Sequence, residues 1–426
     1  MEASLEVKEL ATVSAKDEQG TFDLRSFSLS LNGITVHLCT VGASISNILL
    51  PNYASSQTTK VDDIVLGYKS PADMLESGNP PYFGVIVGRV ANRIAKGKLE
   101  TANGHSYHLD INNGPNHLHG GLRGFSRCVW DAEIVSVPAT HGLPETKGVK
   151  FSLTSKDGDQ GYPGTVQVTA TYTLVPTLSN QGAVLRLVMD AKLLDAKITP
   201  IAMAQHSYIN LASHNEPNGV LNHKLTMPSE YYTPVDENLI PTREVRSLDH
   251  DPSMDWRMSK LVKDALVQYG IEKAGLTDEE SKKNINLSHC APNTAKTGNK
   301  SPASGEPYGF DHNYVVKHTS DSALNLAGIV EHEETMRRMT VWTDQPGVQL
   351  YTGNFLDGVA LDPSFCKDSA SYLQWQSICL ETQTYPDSTL VSEQEFPEFA
   401  KGKCHILRPG GPSYHHTVEY RFEPIT

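Results

Sequence analysis

The sequence predicts an all-β fold, a large antiparallel β-sandwich or barrel that carries one short helical and loop insertion. Three observations carry this reading. Apolar and polar residues alternate with period two wherever the pattern is clear, turn chemistry separates the alternating runs, and one segment alone breaks the pattern with helical spacing.

Taken from the N-terminus, "MEASLEVKELATVSAKDEQG" is acidic and lacks a basic stretch followed by an apolar one, so it does not read as a secretory signal. Residues 1–24 are expected to form a loose tail or a first strand, and residues 25–426 a single domain. In "TVQVTATYTLV" (165–175), Val166, Val168, Ala170, Tyr172 and Leu174 face one way and Thr165, Gln167, Thr169, Thr171 and Thr173 the other. That is a half-buried antiparallel strand. "AVLRLVMDAKL" (183–193) repeats it with Leu185, Leu187 and Met189 inward, and "TVEYRF" (417–422) closes the chain in the same way. Between such runs, "NNGPN", "DGDQGYPG", "QPG" and "RPGGPS" supply Gly, Pro, Asn and Asp for turns. The exception lies at about 259–305, where "SKLVKDALVQYGIEKAGLTDEESKK" has helical spacing and "APNTAKTGNKSPASGEP" has linker composition. It reads as a helix-plus-loop insertion on a β body.

Length allows a large core, because β folds often run well past the size of an average domain as one unit. The chain has 426 residues, 38% of them hydrophobic, and no apolar run long enough to span a bilayer. The net charge of −13 argues against a nucleic-acid partner, which needs clustered Lys and Arg. A small neutral molecule or another protein fits better, with the chain a monomer or a homodimer and no membrane contact. The six cysteines have no CxxC spacing, which argues against a zinc ribbon or a disulfide scaffold and for reduced thiols in the cytoplasm.

Five stretches concentrate polar residues of catalytic type: "GRVANRIAKGKL" (88–99), "NHLHGG" (116–121), "QHSYINLA" (205–212), "YGFDHNYVV" (308–316) and "ICLETQTYPD" (378–387). His117 and His119 would point to the same side of an extended strand and could share a metal, but two ligands are too few for a structural zinc. Glu381 follows the apolar run Ile378, Cys379 and Leu380, so its carboxylate is expected to be partly buried. Burial without a charge partner raises a carboxylate pKa into the range of a general acid or base. The bland alternative is a strand-end glutamate paired with an arginine. His206 lies between "PIAMAQ" and "SYINLA" and reads either as a proton-transfer group near neutral pH or as a core histidine bonded to backbone. Asn92, Arg93, Asp311 and Gln349 supply donors and acceptors for sugar hydroxyls, though exposed loop polarity explains each alone.

Together and in this order, the stretches resemble the aldose 1-epimerase (galactose mutarotase) family. Its members carry an Asn-Arg pair, an LHGG turn, an HSYxNLA strand, a GFDHN turn, a VQxYTGNFLDG stretch and a CLETQxxPD strand, and all are present here. The resemblance runs from roughly residue 25 to residue 425, leaving out the insertion. It implies a large antiparallel β-sandwich with an open hexose-binding cleft and neither metal nor organic cofactor. It implies, further, that His206 is the general acid, that Glu381 is the general base, and that Asn92, Arg93, His119, Tyr208, Asp311 and Gln349 bind the sugar. On this basis His117 is a loop histidine without a chemical task. The implied activity is interconversion of the α and β anomers of hexoses such as D-galactose and D-glucose.

Two readings compete. A hexose-6-phosphate 1-epimerase would need a cationic cluster for the phosphate, which Arg93 and Arg89 do not by themselves make. A non-catalytic sugar-binding protein of the same fold would have no need of both His206 and Glu381. Where many family members have Asn before HSY, this chain has Gln205, a longer amide expected to shift the packing behind His206. The insertion enters just before "GFDHN", where it could cover the cleft, form a subunit contact or alter the preferred hexose. The stretch "VALDPSFCKDSASYLQW" (359–375) also stands where it could border the site.

Overall fold

The strand alternation becomes alternation of burial. Val166, Val168, Ala170, Tyr172 and Leu174 are fully buried, while Thr165, Gln167, Thr169 and Thr171 are half-buried. Leu185, Leu187 and Met189 on the next strand are likewise fully buried. The structure is a computed structural model that describes all residues except 1–4, 56–60, 102–103, 140–144, 288–306, 320–322, 357–361 and 390.

These strands belong to a nine-stranded antiparallel sheet. Its order is Asp131–Val137, Thr146–Ser155, Val166–Pro176, Ala183–Leu193, Tyr414–Pro424, Arg337–Thr343, Asn325–His332, Lys224–Thr226 and Lys260–Leu261. Two five-stranded antiparallel sheets pack against it. One runs in sequence order through Glu6–Asp17, Gly20–Leu31, Ile34–Cys39, Ser44–Pro51 and Val61–Asp63. The other has the order Arg246–Ser247, Tyr231–Thr233, Asp311–Val315, Gly347–Tyr351 and Cys379–Gln383. Inward residues of all three sheets share one apolar core, as a sandwich requires. Phe27 and Phe151 join the first small sheet to the large one, edge to face with centroids 6.0 Å apart. Truncating either ring to Ala would cost about 3–5 kcal/mol.

Of the two readings for the N-terminal segment, a strand is what forms from Glu6 onward. Glu6–Asp17 is a strand that pairs along its length with Gly20–Leu31. The composition looks tail-like because this edge strand faces solvent almost throughout; its partner strand and the Asp17–Arg123 ion pair, at 2.7 Å, hold it in place.

The insertion forms two helices, α1 (Val262–Glu272) and α2 (Asp278–Leu287). Thr277 and Glu280 make a capping box at the start of α2: the Thr277 hydroxyl accepts from the Glu280 N–H at 3.2 Å, and the Glu280 carboxylate accepts from the Thr277 N–H at 2.8 Å. Val262, Ala265 and Leu266 of α1 are buried in the same core as Trp256 and Phe310. Most of the linker-like stretch 291–307 lies outside the described residues.

Candidate active site

Strand register explains how distant motifs meet. On three neighbouring strands Asn313 pairs with Gln349 and Gln349 with Glu381, while Asp311 pairs with Tyr351. Directly paired residues share a face, so Asp311, Gln349, Tyr351 and Glu381 stand on one side. The alternate residues Tyr314, Val348, Leu350 and Leu380 point into the core. Glu381 is thus buried for the reason the sequence gives, an apolar strand on which it occupies the opposite face.

His206 comes from another direction. Ala204–Gln205 pairs with Ile86–Val87, the His206 N–H donates to Val85 O at 2.9 Å, and the Gly84 N–H donates to His206 O at 2.9 Å. Three residues on, Ile209 and Ile378 exchange backbone hydrogen bonds, which binds this segment to the strand of Glu381. The amide of Gln205 braces the same turn: its Nε2 donates to Gly84 O at 2.7 Å, and its Oε1 accepts from the Ser207 N–H at 2.9 Å. The longer side chain therefore fixes the backbone on both sides of His206 and leaves the imidazole in the cleft.

The third wall is the loop pair around Asn92 and His119, both in the left-handed region with φ of 61° and 51°. Each holds the other: the His119 N–H donates to Asn92 O and the Asn92 N–H donates to His119 Nδ1, both at 3.1 Å. Gly120, at φ 88°, is required here, since a Cβ would sit 1.7 Å from Gly88 O. Arg93 extends across to Asp311, with Nη2 3.5 Å from Oδ2, and its Nε donates to Asn113 Oδ1 at 3.1 Å.

Asn92, Arg93, His119, His206, Tyr208, Asp311 and Glu381 line one cleft of about 840 Å³. Gln349 is not on its wall; it stands behind Asp311 and donates from Nε2 to Oδ1 at 2.6 Å. His117 is separate too. It is a fully buried residue in a two-residue strand rather than a loop residue, with Nε2 2.7 Å from the Tyr162 hydroxyl and Nδ1 2.7 Å from Asp110 O. Arg89 turns away into the body, where its guanidinium donates to Pro163 O and Gly164 O. Several wall residues escaped the sequence reading. Tyr82, at φ 63°, has its ring 4.8 Å from that of His119 and 6.0 Å from that of His206. Tyr351, Tyr269, Lys273 and Tyr372 also face the cleft. Tyr351 sits inside a quoted motif and Tyr372 in the stretch 359–375, but nothing local in the sequence marks Tyr82 or the helix residues.

Within the cleft a histidine and a carboxyl group lie side by side. His206 Nε2 lies 3.5 Å from Glu381 Oε1, with side-chain exposures of only 5% and 3%. His206 Nδ1 and Glu381 Oε2 are buried without a hydrogen-bond partner among the described residues. Arg93 pairs with Asp311 rather than with Glu381, and the His206 ring is stacked against Tyr208 at 5.0 Å. Burial, reinforced by the negative charge of Asp311 and opposed by Arg93, pushes Glu381 well above the usual carboxylate range. Burial also pulls His206 down to about 4, against the attraction of Asp311. His119 is held well below its ordinary value by burial and by the neighbouring His206 and Arg93, so it is neutral.

His119, His206 and Glu381 offer ligand atoms within 4.8 Å of one another, a spacing that invites a metal reading. The donor set does not fit one. The N–H of Asn92 occupies the lone pair of His119 Nδ1, so the neutral ring carries its proton on Nε2 and presents a donor. A metal-binding histidine does the reverse, donating from one nitrogen while the other coordinates.

Comparison with known proteins identifies the family of the chain. Residues 25–421 match the profile of the family described as aldose 1-epimerase. The chain is 33% identical over 411 residues to the galactose mutarotase of Mus musculus, covering 96% of this chain and 97% of that protein. It is 30% identical over 391 residues to the aldose 1-epimerase of Escherichia coli K12, covering 92% of each. The crystal structure of galactose 1-epimerase from Lactobacillus acidophilus shares the fold, with a TM-score of 0.68, 22% identity and 99% of both chains covered. The chain belongs to the aldose 1-epimerase family.

Proposed function

We propose that this cleft interconverts the α and β anomers of hexoses such as D-galactose and D-glucose, with Glu381 as base and His206 as acid. As a member of its family the chain is an isomerase. The observation that carries the residue roles is the buried pair itself, with Nε2 and Oε1 3.5 Å apart and one unpaired polar atom left on each partner.

The pair shares one proton. Burial favours the uncharged form, protonated Glu381 beside neutral His206, whereas their mutual attraction and hydrogen bonds from sugar hydroxyls favour carboxylate beside imidazolium. In the second form, the Glu381 carboxylate takes the proton of the C1 hydroxyl. The O1 electron pair forms the C1=O bond, the C1–O5 bond breaks, and the His206 imidazolium gives its proton to O5. The open-chain aldehyde rotates about C1–C2, and both transfers reverse on the other carbonyl face. Protons and electrons balance without a further reagent.

The other groups orient the sugar. His119 presents a fixed Nε2–H donor, Arg93 and Asp311 cross the cleft as a donor and acceptor pair, and Gln349 holds the Asp311 carboxylate from behind. The phosphosugar alternative loses its support at Arg89, which is buried against backbone carbonyls. Five described cysteines, Cys39, Cys128, Cys366, Cys379 and Cys404, are free thiols, which suits the cytoplasm. We read residues 25–426 as one domain in which the insertion is part of the cleft wall. Polarimetry on freshly dissolved α-D-galactose or α-D-glucose tests the activity. Acceleration over buffer at micromolar protein is expected, and its absence would favour a sugar-binding protein.

A further inference from the structure

The insertion reaches the cleft. Tyr269 and Lys273 are four residues apart at the C-terminal end of α1, so they share a face of the helix, and both line the wall. The Tyr269 ring packs against Phe310 at 5.0 Å and His312 at 6.1 Å, the two chain neighbours of Asp311. Lys273 Nζ donates to Asp251 Oδ2 at 2.6 Å, and the Tyr232 hydroxyl donates to the same oxygen at 2.5 Å. An ammonium group has three donors, so Lys273 keeps others for a ligand. The rings around His206 form a different group, Tyr82, His119, Tyr208 and Tyr351. Asp311 stands between the two groups, reaching Arg93 on one side and carrying the Tyr269 contacts on its neighbours on the other.

A pyranose held with C1 at His206 and Glu381 turns the opposite ring carbon, C4, away from that pair. From this juxtaposition we infer that Tyr269 and Lys273 are specificity-determining residues that read the sugar at its C4 side, the position at which galactose and glucose differ. The inference rests on the proposed placement of C1. Uncharged hydroxyls suit this corner better than an anionic group, because Lys273 is matched by Asp251 and nearby Arg246 by Glu244.

The test compares kcat and KM for galactose, glucose and 4-deoxygalactose in the wild-type chain and in Tyr269→Phe and Lys273→Met, with thermal melting to check folding. Losing one hydrogen bond to a hydroxyl is expected to raise KM for the better hexose about 3- to 10-fold, with kcat nearly unchanged. The galactose to glucose ratio of kcat/KM then shifts, while 4-deoxygalactose is hardly affected. A purely structural role would lower kcat or the melting temperature for all sugars alike. An unchanged ratio in both folded variants would overturn the inference alone, whereas a wild-type chain that accelerates neither hexose would overturn the proposed function and this inference with it.

Discussion

His206 and Glu381 come from segments 175 positions apart in sequence and meet with Nε2 and Oε1 3.5 Å apart, each with a polar atom unpaired in a buried cleft. A purely structural pair would satisfy those atoms, since a buried unpaired group costs about 1–3 kcal/mol. Glu381→Gln and His206→Asn are therefore expected to lower kcat by about 10²- to 10⁴-fold, the range of general acid-base catalysis, while sugar binding remains measurable by calorimetry. Wild-type rates in either variant would remove that residue from the chemistry.

In the proposed mechanism the pair holds a single proton, which sets the pH profile. On the acid side a second proton is added as His206 titrates, at about 4, and the base is lost. On the alkaline side the proton leaves through Glu381, whose pKa is raised by burial, and the acid is lost. A plot of kcat/KM against pH is expected to be flat from above about 4 up to the raised Glu381 value. An acid limb centred at the ordinary histidine value would show that His206 titrates as a solvated group.

His119 meets the Asn92 N–H with its Nδ1 and so offers the cleft a proton donor rather than a metal ligand. Activity is expected to be unchanged after incubation with a strong chelator and dialysis. Loss on chelation and recovery with a divalent cation would restore the metal reading of His119, His206 and Glu381.

What the sequence could disclose follows from the range of its rules. Local patterns act between chain neighbours, so alternation discloses the inward faces of 165–175 and 183–193, and the apolar run Ile378, Cys379 and Leu380 discloses the burial of Glu381. Motif order carried the cleft residues, most of which sit at strand ends or turns, as Arg93, His119 and Asp311 do. Strand pairing sets the face that Gln349 shares with Glu381, and its hydrogen bond to Asp311 depends on a neighbouring strand that no local pattern reveals. Tyr82 depends on a left-handed backbone that only tertiary contacts support, and Tyr269 on which face of the inserted helix packs against Phe310. The exposed strand Glu6–Asp17 lacks the inward face by which a strand is recognised.

Gly120 tests the loop that carries His119. A Cβ there would meet Gly88 O at 1.7 Å and Arg89 N at 2.6 Å, backbone atoms that no side-chain rotation can relieve. Gly120→Ala is expected to destabilise the chain by at least about 1–3 kcal/mol, the range of backbone strain, and to lower activity by displacing His119. Urea unfolding measures the first effect and polarimetry the second. Stability and activity both equal to wild type would mean that the loop relaxes freely.

His223 tests the core by pH. It is fully buried, both ring nitrogens lack partners among the described residues, and its ring stacks on that of His332 at 4.7 Å. Burial, helped by His332 and Arg337 and opposed by the backbone of Val220, holds its pKa well below 6.5. Below the ordinary value of about 6.5, the unfolded chain binds a proton that the folded chain refuses. Stability from this group is thus full above that pH and lost as pH falls toward the depressed folded value, by about 1.4 kcal/mol per pH unit. His223→Leu cannot take up that proton in either state. Urea unfolding of the two proteins at neutral pH and between about 6 and 5 is expected to show the variant losing less stability on acidification, by up to that slope. His117 and His312, depressed in the same direction, titrate in both proteins and cancel in the comparison, so equal losses would mean that the His223 pocket opens to water before it titrates.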